Sequence, residues 1–250
     1  MSDHRNRVAL VTGGGRGIGE SIARRLASEG LRVAVVGRSA AELERVAGEV
    51  GGFAVVADVT DTAAIAEAVR AVEAGLGPVD VLVNNAGIAE SAPLERTTDE
   101  VWSRTMAVNG TAPFARSRAV APGMAKRGWG RVINVASNAG LRGYAYTSAY
   151  CASKHALVGL TRALAVEYAR AGVTFNAVCP GFVETEMTTR AVERIQKTTG
   201  RDASTARAAL EALSVQKRLM TPEEVAHAVF MLVPHEARGI NGQAIGLDGG

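Results

Sequence analysis

The sequence has very little cysteine. Its 250 residues include only Cys151 and Cys179, which excludes a disulfide framework, and the two do not have the spacing of a metal-binding cysteine motif. We expect both to be free thiols in a reducing compartment. The histidines show no close pairing either, so the sequence predicts no metal site; they are His4, His155, His227 and His235.

Long apolar runs and runs of one charge are also missing. The segment Met1–Arg7 is polar, and the apolar stretch that follows reaches Gly13 after a few residues, so neither a secretory signal nor a membrane span is predicted. A cytoplasmic location is the resulting expectation. The net charge is +3, but the basic residues are scattered, so we expect no nucleic-acid or membrane partner.

Short β-rich segments alternate with longer segments of helical periodicity along the whole chain. This alternation is typical of repeated βαβ units, and strands that are apolar on both faces are covered by helices on both sides. The sequence therefore predicts an α/β fold with a doubly wound, Rossmann-type parallel sheet of seven strands, in a single domain of residues 1–250. The predicted strands are Val8–Thr12, Arg32–Val36, Phe53–Ala57, Val79–Asn84, Arg131–Ala136, Val173–Val178 and Gln243–Leu247. The predicted helices lie near Gly17–Glu29, Ala40–Val50, Thr62–Gly75, Glu100–Arg127, Ser148–Ala171 and Pro222–Leu232.

One segment, Glu186–Arg218, interrupts this alternation. It is polar and prone to form helix, and it contains many threonines, alanines and basic residues. An insertion that follows a strand of a doubly wound sheet lies over the ligand crevice. We expect a mobile substrate lid, with a solvated helical excursion as the alternative.

A glycine cluster follows the first predicted strand and precedes a helix. Glycines at such a turn let the backbone approach a pyrophosphate, whose charge is met by amides at the helix N-terminus. This position in a βαβ unit predicts a dinucleotide site rather than a flexible turn. The residues expected to contact the dinucleotide here are Gly13, Gly15, Arg16, Gly17, Ile18 and Gly19.

The end of the second predicted strand indicates which dinucleotide binds. NAD-binding proteins usually place an acid there to hold the ribose 2′-hydroxyl, whereas this chain has Arg38 and Ser39. A carboxylate would repel a 2′-phosphate, while these two residues, together with Arg16, suit one. The sequence therefore predicts NADP(H) as the cofactor.

Ser137, Tyr150 and Lys154 are the residues best suited to proton transfer. On a helix, Tyr150 and Lys154 project from one face, one turn apart. A free phenol has a pKa of about 10, and a nearby positive charge lowers it, which makes the tyrosine a usable general acid. Ser137 brings a hydroxyl to the same place if Val132–Ala136 is a strand. By itself the Tyr/Lys spacing also fits an ordinary amphipathic helix edge.

Five motifs, in this order and spacing, resemble the short-chain dehydrogenase/reductase family. The similarity covers the chain from the first strand to the C-terminal Leu247–Gly250. The motifs are Thr12-Gly13-x-x-x-Gly17-x-Gly19, Asn84-Asn85-Ala86-Gly87, Ser137, Tyr150-x-x-x-Lys154 and Pro180-Gly181.

The resemblance implies a role for each site residue. Tyr150 would be the general acid/base, Lys154 would lower its pKa and bind the nicotinamide ribose, and Ser137 would hold the substrate oxygen. Asn109 would keep a proton-relay water connected to Lys154. The implied cofactor contacts beyond the glycine loop are Asp58, Val59, Asn85, Ala86, Gly87, Pro180, Gly181, Val183 and Thr185, in addition to Tyr150 and Lys154 themselves.

Within the family, the segment Asn176–Thr185 is most similar to 3-oxoacyl-thioester reductases and to aromatic polyketide ketoreductases. The leading hypothesis is an NADPH-dependent reductase of such a ketone, carried on acyl carrier protein or CoA, in a homotetramer. The chain lacks the Pro-Gly-Gly stretch of the polyketide enzymes, since Ile88–Pro93 stands there. Glu186–Arg218 is closer in length to the corresponding segment of hydroxyacyl and hydroxybutyrate dehydrogenases. An oxidative secondary-alcohol dehydrogenase is thus the alternative, and a non-catalytic dinucleotide sensor is the third hypothesis.

Overall fold

All seven predicted strands form, and they lie side by side in one parallel sheet. The structure is a computed structural model that describes residues 4–250. The strands are β1 (Val8–Thr12), β2 (Arg32–Gly37), β3 (Phe53–Val56), β4 (Val79–Asn84), β5 (Gly130–Val135), β6 (Val173–Pro180) and β7 (Ala244–Leu247). Their order across the sheet is β3-β2-β1-β4-β5-β6-β7. The prediction of a doubly wound Rossmann-type sheet is therefore confirmed.

Helices cover both faces of this sheet. They are α1 (Gly17–Ser28), α2 (Ala40–Val50), α3 (Thr62–Leu76), α4 (Asp99–Met106), α5 (Ala112–Lys126), α6 (Ser148–Tyr168), α7 (Glu186–Thr199), α8 (Ala203–Glu211) and α9 (Pro222–Phe230). The helices α1, α2 and α9 contribute to the core on one face. The helices α3, α5 and α6 contribute to the core on the other.

Strand β1 is apolar at every position except Thr12. Its five residues are all buried; Ala9 and Val11 join the core on one face, and Val8 and Leu10 join the core on the other. Successive side chains of a strand point to opposite faces, so a strand between two helical layers needs apolar residues at both sets of positions. Fully burying a valine or leucine side chain contributes about 1.5–3 kcal/mol.

The order of the strands fixes where a ligand binds. Strand β1 lies between β2 and β4, so the chain proceeds to one side of the sheet after β1 and to the other side after β4. In such a sheet the two connections diverge and leave a crevice at the carboxyl ends of the central strands. The glycine cluster follows β1 and Asn84–Gly87 ends β4, so both motifs border this crevice.

The long helix expected near Glu100–Arg127 is not a regular α-helix. A π-helical turn, Ala107–Thr111, separates α4 from α5. Asn109 lies in the middle of this turn with 1% of its surface exposed. Single π-turns inside helices are frequent at functional sites. Helical periodicity alone does not reveal such a turn.

The segment Glu186–Arg218 folds largely into α7 and α8. Gly200, with φ of 71°, ends α7, and the Asp202 carboxylate caps α8 by accepting from the Thr205 amide at 2.9 Å. An ion pair of 2.7 Å joins Arg16 to Glu186. The helical character is as predicted, and the role of the segment as a lid stays a prediction.

The glycine turn gives a first prediction. A Cβ at Gly19 would lie 2.1 Å from the Gly13 carbonyl oxygen, so Gly19→Ala forces the turn and α1 apart. We expect it to lower the free energy of unfolding by more than about 2 kcal/mol, measured by urea denaturation. Gly48→Ala is the matched control, since nothing lies within 4 Å of a Cβ there, and we expect it to stabilise α2 by about 0.5–1 kcal/mol. Equal effects of the two substitutions would contradict the close packing inferred for Gly19.

Candidate active site

The glycine cluster forms a cradle at the start of α1. Gly13 and Gly17 have φ of 65° and 55°, which an L-residue adopts only with strain. The N-cap of α1, Arg16, makes no side-chain capping bond, so the first amides of the helix face outward as donors for an anion. A Cβ at Gly15 would lie 2.9 Å from the Glu42 Cβ, so this glycine allows α2 to approach. The local geometry therefore suits a pyrophosphate.

Thr12 and Asn85 connect the ends of β1 and β4 at the base of the crevice. The Thr12 hydroxyl accepts from the amides of Asn85 and Ala86 at 3.1 and 3.2 Å. The Asn85 side-chain amide donates to the Thr12 carbonyl at 2.9 Å. The predicted cofactor residues Asn85 and Ala86 are thereby placed directly beside the glycine cradle.

Arg38, Ser39 and Asp58 lie beyond β2 and β3 and are exposed. One Asp58 oxygen accepts from the amide and the hydroxyl of Thr60 at 2.8 and 2.7 Å. These bonds hold the pKa of Asp58 below its ordinary value, and the positive charge of Arg38 acts in the same direction. The structure thus brings Arg38 and Asp58 close enough for their charges to interact.

Arg16 has two carboxylate partners. Its guanidinium pairs with Glu186 at 2.7 Å and with Glu42 at 3.6 Å, and the expectation that it contacts a 2′-phosphate stays a prediction. The sequence did not indicate these partners, because Glu186 lies far along the chain and reaches the glycine loop only through the fold.

Tyr150 and Ser137 meet as predicted. Tyr150 lies in the first turn of α6, and Ser137 follows β5 by two residues. Burial raises the pKa of Tyr150, and a hydrogen bond with the Ser137 side chain partly offsets this effect. The Ser137 hydroxyl also accepts from the Ala139 amide at 3.1 Å. The phenol is thus protonated at neutral pH, and the Ser137 side chain lies beside it.

Lys154 lies one turn after Tyr150 and is 4% exposed. Its Nζ atom is 5.8 Å from the centre of the Tyr150 ring and donates to the Val135 carbonyl at 2.9 Å. Burial lowers the pKa of Lys154 from 10.5 to about 8, so the side chain is an ammonium at neutral pH. The main influence on the phenol here is burial, and tuning of Tyr150 by Lys154 stays a prediction.

Asn109 holds the chain that follows β4. Its side-chain oxygen accepts from the Ile88 amide at 3.0 Å, and its side-chain nitrogen donates to the Ile88 carbonyl at 2.9 Å and to the Ser153 hydroxyl at 3.0 Å. A Cβ at Gly87 would lie 3.2 Å from the Asn109 oxygen and 3.6 Å from the Lys154 Nζ. Gly87, Asn109 and Lys154 therefore lie close together, and the water that the resemblance implies between Asn109 and Lys154 stays a prediction.

The segment after β6 forms the opposite wall of the crevice. Gly181 donates its amide to the Leu247 carbonyl at 2.9 Å. The Val183 carbonyl accepts from the Thr188 hydroxyl at 2.6 Å. A Cβ at Gly17 would be 3.4 Å from the Thr185 methyl carbon, so Thr185 lies beside the glycine cradle, while Pro180 ends β6.

The chain is similar to proteins of known family over its whole length. The profile of the family described as short chain dehydrogenase matches residues 7–196. The chain belongs to this family. It is 40% identical to a putative ketoacyl reductase of Streptomyces coelicolor, covering 100% of this chain and 98% of the relative. It is also 40% identical to the 3-oxoacyl-acyl-carrier-protein reductase MabA of Mycobacterium avium, covering 98% and 89%.

A solved structure agrees with these relatives. A variant of the actinorhodin polyketide ketoreductase, crystallised with NADPH, superposes with a TM-score of 0.95 at 39% identity and covers 100% of this chain and 98% of that chain. The resemblance to 3-oxoacyl and polyketide ketoreductases is thus confirmed. This short-chain dehydrogenase is an oxidoreductase that acts on CH–OH or C=O groups.

Short-chain dehydrogenases bind a nicotinamide dinucleotide, and the crevice fits one. Side chains at Gly13 and Gly19 would fill the space between the cradle and Asn85, and the first amides of α1 are uncapped. Among residues 4–250, no group of three or more His, Cys, Asp or Glu side chains is placed to hold a metal ion. In the same part of the chain, no helix is long and apolar enough to cross a membrane.

Sequence reasoning did not predict the contacts of the loop that follows β5. Arg142 donates to the Tyr144 hydroxyl at 2.8 Å and to the Asp248 carboxylate at 3.0 Å, which ties the loop after β5 to the C-terminal segment. Tyr146, with φ of 65°, holds the loop after β4 because its carbonyl accepts from the Ala92 amide at 2.8 Å. The contacts to Asp248 and Ala92 join residues that are far apart in the chain, so no local pattern signals them.

The buried lysine gives a prediction for the pH dependence of stability. Between pH 8 and 10.5 the unfolded chain keeps the Lys154 proton and the folded chain loses it, so this group makes the wild type more stable as pH rises. Lys154→Met removes that contribution. The stability of the variant relative to the wild type should therefore fall by about 3 kcal/mol across this window, measured by guanidinium denaturation without cofactor. Lys126→Met, at an exposed position, is the control and should show a flat difference. A flat difference for Lys154→Met would refute the shifted pKa.

Proposed function

We propose that this short-chain dehydrogenase is an NADPH-dependent reductase that converts a ketone to a secondary alcohol. The observation that carries the proposal is the convergence of Ser137, Tyr150 and Lys154 at the carboxyl ends of the central strands, beside the glycine cradle. The substrate class we favour is a 3-oxoacyl thioester or a polyketide-like ketone, delivered on acyl carrier protein or CoA. The similarity to ketoacyl reductases supports this class.

Ser137 and Tyr150 act on the substrate oxygen. The Ser137 hydroxyl donates a hydrogen bond to the carbonyl oxygen and orients it beside the phenol. Tyr150 then donates its proton to this oxygen as negative charge develops there. Burial keeps the phenol protonated before the reaction, which is the state that a general acid in the reductive direction requires. Bound NADPH would supply the hydride to the carbonyl carbon.

Lys154 and Asn109 support this proton transfer. With a pKa of about 8, Lys154 is mostly an ammonium at neutral pH, so it stabilises the phenolate that Tyr150 becomes after giving up its proton. We assign Asn109 to hold a water that returns a proton through Lys154. Its π-turn suits this role, because the turn aims a buried amide at Ile88 and Ser153 and brings it next to Lys154.

The choice of NADPH rests on the end of β2. Arg38 and Ser39 are exposed there, and in the part of the chain that the structure describes, no ion pair occupies Arg38. A guanidinium pairs well with a phosphate. Arg16 has two carboxylate partners, so it contributes to a 2′-phosphate less directly than Arg38.

The alternative is an oxidative secondary-alcohol dehydrogenase that uses the same residues. In that direction Tyr150 accepts the proton, so a high pKa is a disadvantage at neutral pH and activity should rise towards alkaline pH. The two functions are separated by measuring NADPH oxidation at pH 7 and NADP reduction at pH 9 against 3-oxoacyl thioesters, cyclic ketones and secondary alcohols.

Arg38→Asp tests the preference for NADPH over NADH. A carboxylate repels a 2′-phosphate and accepts from a ribose hydroxyl, so we expect the ratio of kcat/KM for NADPH to that for NADH to fall at least about tenfold, which corresponds to about 1.4 kcal/mol. Arg170→Asp, after the far end of α6, is the control and should leave the ratio unchanged. An unchanged ratio in Arg38→Asp would contradict the assignment of NADPH.

Tyr150→Phe tests the role of the Tyr150 hydroxyl as the general acid. We expect kcat to fall about 100-fold or more, because general acid catalysis contributes about that much, while the dissociation constant of NADPH, measured by fluorescence titration, changes little. Tyr168→Phe is the matched control: Tyr168 ends the same helix and packs against Phe175 at 5.6 Å between ring centres. Turnover by Tyr150→Phe at the wild-type rate would exclude the phenol as the acid.

A further inference from the structure

Arg116, on α5, is a buried guanidinium that the proposed chemistry does not use. Its exposed fraction is 0%, and among residues 4–250 no carboxylate pairs with it. Burial lowers its pKa to about 9, so it still carries a charge at neutral pH. A buried charge without a counter-ion is unfavourable unless hydrogen bonds hold it. Its partners therefore indicate what it does.

The guanidinium bridges two segments that border the crevice. Its Nε donates to the Asn84 side-chain oxygen at 2.6 Å, and its Nη1 donates to the Val59 carbonyl at 3.3 Å. Its Nη2 has no hydrogen-bond partner in the described part of the chain. Asn84 ends β4, and Val59 lies in the loop after β3. A planar guanidinium fixes two acceptors relative to each other, which a lysine cannot do.

Asn84 is a rigid anchor for this bridge. Its side-chain nitrogen donates to the Asn134 side-chain oxygen at 2.8 Å, and Asn134 donates to the Thr161 hydroxyl at 2.8 Å. That hydroxyl donates to the Leu157 carbonyl on α6 at 2.8 Å. Asn84, Asn134 and Thr161 are all buried. A buried network whose members are paired holds a single arrangement.

Few hydrogen bonds hold the loop that contains Val59 to the centre of the sheet. Strand β3 has four residues and lies at the edge of the sheet, so it pairs only with β2. After β3, Ala57 donates its amide to the Gly37 carbonyl at 2.8 Å, and the Val59 side chain packs at the edge of the core on that face. The Asp58 side chain bonds forward to Thr60, and Asp61 caps α3. Among the side-chain hydrogen bonds to residues 57–61 in the described part of the chain, the one from Arg116 links the loop to β4, through Asn84.

We propose that Arg116 is a positioning residue for the adenosine end of the cofactor, because it holds the turn Asp58–Thr60 at a fixed place relative to β4. This inference rests on the proposed function and on the cofactor contacts that the family resemblance implies for Asp58 and Val59. Arg116 itself touches no ligand, since it is fully buried. It acts by keeping the Val59 backbone and the Asp58 carboxylate in the geometry that receives the base.

The test uses binding rather than turnover, because a structural role alone would change stability and leave ligand affinity unchanged. The probe is adenosine 2′,5′-bisphosphate, which carries the adenosine end and the 2′-phosphate without the nicotinamide, and binding is measured by isothermal titration calorimetry. Arg116→Met keeps a long side chain and removes the donors. We expect its dissociation constant for the probe to rise at least tenfold.

Arg118→Met is the matched control. Arg118 is an exposed residue of the same helix, lying over the Phe114 ring at 5.1 Å, and its replacement should change the dissociation constant less than twofold. Arg116→Lys keeps the charge and loses the bridge, so we expect it to raise the dissociation constant of the probe at least threefold. This variant serves as the test if Arg116→Met does not fold. Probe affinity within twofold of wild type in a folded Arg116 variant would overturn the inference.

Hydrogen–deuterium exchange of the ligand-free protein gives a second readout. We expect amides of residues 58–64 to exchange at least tenfold faster in Arg116→Met, with residues 12–19 unchanged; unchanged exchange in 58–64 would contradict the bridge. Failure of the proposed function has a different signature. In that case the wild type itself binds neither NADP+ nor adenosine 2′,5′-bisphosphate.

Discussion

The site depends on the link between the ends of β1 and β4. Strand order reverses at this point, so the two connections diverge, and nothing in a parallel sheet by itself holds their first residues together. The buried Thr12 hydroxyl and the Asn85 amide supply that link through hydrogen bonds to the opposite backbone. Because a buried backbone amide without a partner is costly, the glycine cradle and the Asn85–Gly87 turn take one relative position. The residues proposed to bind the cofactor and to catalyse the reaction are positioned relative to this link.

Burial acts on the pKa values of Tyr150 and Lys154 in opposite directions, and both shifts favour the neutral form of the side chain. Removing water raises the pKa of the phenol and lowers that of the ammonium, since in each case the charged form is the one that loses hydration. The two pKa values, which are 10.0 and 10.5 without these effects, therefore move apart. At neutral pH the phenol keeps its proton, and the lysine, with a pKa of about 8, is still mostly an ammonium that can stabilise a phenolate. Below about pH 8 the buried ammonium lowers the free energy of unfolding, because its charge has lost hydration.

The sequence predicted the strands, their parallel arrangement and the crevice, because those features are local, whereas the family resemblance implied several of the residues around it. Apolar runs, a glycine turn and a tyrosine one helical turn before a lysine each follow from a few neighbouring residues. The features it did not predict join distant residues. The π-turn around Asn109, the pairing of Arg16 with Glu186 and the bridge from Arg116 to Val59 all depend on three-dimensional neighbours. Helical periodicity at Arg116 even suggests an ordinary polar position, whereas its side chain is fully buried.

Two carboxylates lie beside the glycine cradle, next to a helix start that attracts anions. The uncapped start of α1 attracts anions, and Glu186 and Glu42 lie close to it. Without a counter-charge, two carboxylates here would disfavour a pyrophosphate. Arg16 pairs with both of them, and Arg190 pairs with Glu186 as well. The amides of α1 therefore keep their attraction for phosphate, and the same ion pairs hold the first turn of α7 against the cofactor side of the crevice. Arg16 and Arg190 thus balance the charge of these carboxylates, and the ion pair from Arg16 to Glu186 links the glycine cradle to the start of α7.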